Sequence, residues 1–158
     1  MNKPIFTYEN GHAVCTTRDA MGREFKGEAW CAKEDLDMES KITGLSIAES
    51  RAQIAAATAY RNDLRVRLSA LKQLYYSMNK SKSFNPKSYE NKMLQRQIKL
   101  TENDLSIAIH QLAVLKVNLY EYLNEKESFY KQVRDSRNPL IIPKKERIKQ
   151  ALKKSSNA

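Results

Sequence analysis

LQRQIKLTENDLSIAIHQLAVLKVNLYEYLNEKESFYKQV, residues 94–133, decides the fold of this chain. Leu94, Ile98, Leu105, Ala108, Leu112, Leu115, Leu119, Tyr122, Phe129 and Val133 fall on alternating steps of four and three, interrupted only by Thr101 and Lys126. An α-helix turns once every 3.6 residues, so this spacing lays one narrow apolar stripe along a helix. A stripe kept over more than five heptads marks coiled-coil-like packing. Asn85-Pro86, just upstream, reads as the helix start. Asn caps free amides, and Pro suits the first helical position because its missing N–H would go unpaired there anyway. The spacing predicts a helix over about residues 86–135, ~75 Å long.

Such a stripe needs a partner. Upstream, Ile47, Ile54, Leu64, Leu68, Leu71, Tyr75 and Met78 again fall on helical steps. Ser46 and Glu49 form S-x-x-E, a capping-box pattern, and predict a start near Leu45. This helix runs to about residue 78, ~50 Å. NKSKSFNPKS, residues 79–88, breaks the pattern between the two. Folded back, the longer helix overhangs by about 25 Å. The overhang carries Leu119, Tyr120, Tyr122, Leu123, Phe129 and Tyr130. Soluble proteins avoid leaving such a face open, so it predicts either cover by the N-terminal head or a homo-oligomer.

The N-terminal segment reads as a hairpin. AVCTTRD (13–19) and REFKGEAWCA (23–32) are strand-like, and DAMG between them is a turn ending in Gly. Phe25, Gly27, Ala29 and Cys31 alternate with Glu24, Lys26 and Glu28, which leaves one face able to pack. Two strands alone are marginal in water, so they need a third strand (near residues 4–8), the helices or a second subunit. The expected fold is mainly α: a long antiparallel helical hairpin, coiled-coil-like, with a small N-terminal β-hairpin head at 5–32. Residues 1–138 read as one domain. An acidic connector, KEDLDMES (33–40), joins head to helices, and residues 139–158 form a basic tail.

Four Gly and four Pro are too few for the turns of an all-β fold. The net charge of +10 favours polyanionic partners, and KKERIKQALKK (144–154) alone holds six basic residues against one acidic. No apolar run approaches the roughly 18–20 residues of a membrane span, and MNKPIFTYENGH lacks the apolar stretch of a signal peptide. The expectation is therefore no membrane partner, a cytoplasmic location, and Cys15 and Cys31 as thiols.

Catalytic chemistry finds little support. His12, Cys15 and Cys31 lack a fourth ligand at metal-binding spacing. His12 and Cys15 lack a third, orienting group for nucleophilic work. Glu34, Asp35, Asp37 and Glu39 miss the calcium-loop template. The sequence reads as a non-enzyme with no metal and no cofactor. Binding residues are better represented. Lys80, Lys82 and Lys87 surround Phe84, Asn85 and Tyr89 at the helical elbow. Aromatics amid cations beside a helix start can stack on a base and meet phosphate, and they can equally plug the elbow with solvated lysines around them. Arg51 and Arg61 lie on or near the first helix's seam, either snorkelling to water or used for binding.

GREFKGEAWCAKEDLDMESKITGLSIAESRA (22–52) and LKQLYYSMNKSKSFNPKSYENKMLQRQI (71–98) together resemble small proteins of phages and prophages of Gram-positive bacteria. In particular, the pattern resembles the phage-encoded anti-Thoeris sponge family, a small β head on long helices, over roughly residues 8–135. The resemblance implies binding and sequestration of a cyclic ADP-ribose signal of host defence without cleavage, in the host cytoplasm. On that reading Phe84, Asn85, Tyr89 and Asn91 meet base and ribose, and Arg51, Arg61 and Arg96 meet phosphates. Arg18, Met21 and Arg23 at the hairpin turn close the pocket. The basic tail lies outside the resemblance. It motivates a nucleic-acid-binding alternative, such as a CRISPR-nuclease inhibitor, and the heptads alone motivate a structural coiled-coil alternative.

Overall fold

The computed structural model describes residues 3–31, 40–81 and 83–137, and the chain divides into two compact units, residues 1–121 and 122–158. Three antiparallel strands come first: β1 Ile5–Glu9, β2 His12–Arg18 and β3 Glu24–Trp30, in sheet order β1-β2-β3. The expected hairpin is β2–β3, and the third strand, one of the supports expected for it near residues 4–8, makes the head a meander. Asn10-Gly11 closes β1 onto β2 with both residues at positive φ, 48° and 77°. That conformation matches the twist of the flanking strands and is open to Asn-Gly. The β2–β3 turn is organised by Asp19, whose carboxylate accepts from the Met21 and Arg23 amides, each at 2.9 Å.

Alternation in β2 and β3 aims Ala13, Cys15, Gly27 and Ala29 to one face, where all are buried. That face packs on the start of α1, Lys41–Asn79, at Ala48 and Ala52. Tyr8, Leu45 and Ile47 border this core. Only small side chains fit between sheet and helix. On the opposite face Trp30 stacks on the His12 imidazole, centroids 3.6 Å apart and planes 9° from parallel.

Helix α1 starts a full turn earlier than the capping-box reading placed it. Ser40 is the cap, its Oγ accepting from the Thr43 amide at 3.2 Å. Ser46 lies inside the helix, where its carbonyl accepts from Ser50 Oγ. Gly44, upstream of the expected start, is helical: a β carbon there would sit 3.2 Å from the Ala13 methyl and 3.5 Å from the Tyr8 ring. The glycine lets helix and sheet approach.

Helix α2 spans Tyr89–Arg137, so it begins three residues later than the Asn85-Pro86 reading. Asn85 instead makes a local turn, its Oδ1 accepting from the Lys87 amide at 2.9 Å and its carbonyl from the Ser88 amide at 3.1 Å. Ser88 is the effective cap, with Oγ accepting from the Asn91 amide at 3.3 Å.

Helices α1 and α2 form the expected antiparallel hairpin. Lys72 Nζ pairs with Glu102 Oε1 at 2.8 Å, and Gln95 Nε2 donates to the Tyr75 hydroxyl at 3.0 Å, so numbers rise on one helix as they fall on the other. Leu64 on α1 and Leu94, Ala108 and Leu112 on α2 are buried along the seam. Thr101 is tolerated in that seam, only 3% exposed, because its hydroxyl donates to the Gln97 carbonyl one turn back at 2.8 Å. In the second unit, the Lys126 ammonium lies 5.3 Å from the Tyr122 ring centroid, and Phe129 meets Tyr130 edge-on. The aliphatic stem and charge of Lys126 thus find a partner despite the break in the stripe. The connector 33–39 and the basic tail 139–158 lie outside the described residues.

Candidate functional site

The elbow is a succession of short turns. Ser81 donates its amide to the Met78 carbonyl, and Phe84 donates to Ser81, each at 3.1 Å. These turns set the Phe84 ring edge-on to Tyr75, 6.2 Å between centroids at 83°. The Asn91 side-chain amide donates to the Asn85 carbonyl and holds the turn against the first turns of α2. Asn91 is only 3% exposed, and its Oδ1 has no hydrogen-bond partner among the described residues. A buried acceptor of this kind carries a desolvation cost that one bound donor would remove.

Below the elbow, the two helices line an open groove of about 480 Å³ with Lys72, Tyr75, Tyr76, Gln95, Ile98, Lys99 and Glu102. Small-molecule sites typically run to ~300–1,000 Å³, so the volume suits a nucleotide. The local sequence explains the lining. Tyr75 is a seam residue whose ring is fixed at both ends, by the Phe84 edge and by the Gln95 amide. Tyr76, the next residue, is turned 100° around α1 and left 66% exposed. Lys99 is one turn beyond Gln95 on the same side of α2.

Two phenol rings, two ammonium groups and one carboxamide can stack on a base, attract phosphate and read a hydrogen-bonding edge, although the Glu102 carboxylate in the same lining offsets the charge of Lys72. The lining holds no cysteine, histidine or serine. Among the described residues, no group of three His, Cys, Asp or Glu side chains is placed to hold a metal ion. Cys15 is buried under the sheet with its thiol pushed up, first by burial and then by the charge of Glu49, which disfavours the reactive thiolate.

The ten sequence-predicted binding residues fall into separate places. Phe84, Asn85, Tyr89 and Asn91 gather at the elbow, with Tyr89 77% exposed. Arg96 is exposed on α2, next to Gln95. Arg18 pairs with Glu24, and Met21 projects into solvent at the β2–β3 turn. Arg23 at the same turn docks on α1 through Asp63. Asp63 lies twelve residues before Tyr75, ~18 Å along the helix, so this turn does not close over the groove. Arg51 Nη1 donates to the Glu28 carbonyl and helps tie β3 to α1. Arg61 is half-buried, with its guanidinium on the Asn62 side chain at 3.1 Å. Sequence reasoning missed Lys72, Tyr75, Tyr76, Gln95 and Lys99. The Tyr75-Tyr76 pair was the available signal, but Tyr75 had been counted only as seam.

No protein-family model, curated protein or solved structure matches this chain. No described helix is long and apolar enough to cross a membrane.

Proposed function

We propose that this protein binds a small phosphorylated nucleotide in the groove and holds it intact, acting as a phage anti-defence sponge for a cyclic ADP-ribose-type signal. The observation that carries the reading is the convergence of Tyr75 and Tyr76 with Lys72 and Lys99 in one groove of nucleotide size. The rings offer stacking faces, and Lys99 supplies positive charge for a phosphate, while Lys72 is already paired with Glu102 at the groove wall. Gln95, held by Tyr75, is preorganised to meet a base or ribose. Sequestration works by mass action: tight binding without turnover lowers the free signal below the level its effector needs.

The test is direct. Purified protein is mixed with cyclic ADP-ribose isomers, desalted and heat-denatured, and the released nucleotide is identified by mass spectrometry. Intact cyclic nucleotide, recovered in proportion to protein, supports the proposal. Empty protein, or linear product that grows with time, overturns it. Capture of RNA or DNA that weakens steeply with salt and vanishes on deletion of residues 144–158 would replace it with the nucleic-acid reading.

A further inference from the structure

Among the described residues, most large apolar side chains are not fully buried by the chain itself. Among the described residues, no side chain larger than that of Cys15 is fully buried. Meanwhile Tyr60 and Leu74 on α1, and Leu100, Ile107, Val114 and Val117 on α2, are each between 42% and 55% exposed. Their spacing is ordered. Residues 60, 67 and 74 recur every seven on α1, and 100, 107 and 114 recur every seven on α2. Seven residues are two helical turns, so each set forms a second stripe parallel to the buried seam. The Lys72–Glu102 pair sets the register, which brings Tyr60 level with Val114, Arg67 with Ile107 and Leu74 with Leu100. The two stripes therefore lie side by side on one face of the hairpin, inside the first unit.

We infer that this face is the docking surface for a second copy of the chain, which completes a four-helix bundle. The panel runs ~25 Å along the helices and ~20 Å across them, about 500 Å² in projection before the relief of the side chains is counted. A stable interface takes about 800 Å² per partner, with an apolar centre and a polar rim. The panel supplies the centre. Arg67 and Asp104, of opposite sign and without an ion-pair partner among the described residues, flank Ile107. A two-fold interface repeats every residue on both sides, so it needs such self-complementary charge. An apolar ligand would leave both charges unanswered. The inference is independent of the groove, whose lining shares none of the six apolar residues.

Sedimentation equilibrium or light scattering on the full chain tests it at protein concentrations up to about 100 µM, where even a weak dimer forms. The expected mass is twice the 18.2 kDa of one chain, or a higher even multiple. Ile107→Glu should halve the assembly while leaving helical circular dichroism unchanged. Ile109→Glu, 44% exposed on the same helix but turned about 200° away, should leave the mass unchanged. Leu100→Lys provides a second disruption of the same face should Ile107→Glu lose helix content. Wild-type protein at 18.2 kDa throughout, or dissociation by Ile109→Glu and not by the panel variants, overturns the inference.

Discussion

Arg23 at the β2–β3 turn grips Asp63 in the middle of α1 with two nitrogens, Nη1 to Oδ1 at 3.2 Å and Nη2 to Oδ2 at 2.6 Å. The same guanidinium holds Asp19 through Nε at 2.7 Å. One cation between two carboxylates thus fastens a turn to a helix forty residues away. The pair is about two-fifths exposed on each side, so solvent screens it. Asp63→Asn is expected to cost no more than about 1 kcal/mol in urea unfolding, with the turn's amides exchanging faster.

Asp19 gives the turn a pH dependence. Burial acts to raise its pKa, but hydrogen bonds from the Arg23 side chain and amide, the Arg23 charge and the Met21 amide outweigh it and bring the pKa below the usual Asp value. A carboxyl whose pKa is lowered on folding contributes stability above its unfolded pKa, and loses that contribution as pH falls through the folded value. As pH falls below the ordinary Asp value of about 4, wild-type protein should therefore lose more stability than Asp19→Asn. Parallel acid titrations of urea midpoints measure the difference, and coincident curves would refute it.

Gly27 is where the sheet meets α1 most closely. A β carbon there would collide with the Ala48 carbonyl oxygen and the Ala52 amide, and would lie 2.9 Å from the Arg51 β carbon. The first two are backbone atoms of a helix and cannot turn aside. Gly27→Ala should cost about 3 kcal/mol or more, enough to detach the head in a thermal melt. Gly22→Ala offers a contrast: it meets open space but sits at φ +78°, so backbone strain alone, about 1–2 kcal/mol, sets its cost.

Thiol reactivity reports on the same core. Cys15 is fully buried and Cys31 is half-buried, and the two are not joined in a disulfide. An aromatic disulfide reagent should label Cys31 in the native protein and Cys15 only after denaturant is added. Rapid labelling of both thiols without denaturant would mean that the sheet does not rest on α1 as described.

The groove predicts a separation of binding from stability. Tyr76→Ala removes a ring that is mostly in solvent, so melting should be unchanged. Loss of one stacking face should weaken nucleotide binding about ten-fold or more, measured by calorimetry. Lys99→Ala should weaken binding and flatten its salt dependence. Binding unaffected by either change would remove the groove from consideration.

The two long helices were legible because a heptad stripe is a local, repeated signal. Leu94, Ile98, Leu105, Ala108 and Leu112 lie where the spacing put them, half-buried or buried along one seam. Alternation in REFKGEAWC likewise foretold that Phe25, Gly27, Ala29 and Cys31 would turn away from solvent. Asn10-Gly11 carried a turn signal that went unread, and with it the certainty of a third strand.

Other features belonged to the tertiary structure alone. The capping-box pattern placed the start of α1 near Leu45, yet Gly44 is already helical, and its missing side chain lets Ala13 and Tyr8 of the sheet come close. Asn85-Pro86 looks like a cap, yet Ser88 does that work once the elbow has spent three residues in a turn. The groove joins residues twenty or more positions apart, and its members depend on the register between α1 and α2. Periodicity states which side of a helix is apolar; it cannot state what stands opposite, because register is set by contacts such as Lys72–Glu102 that form only when the chain has folded back.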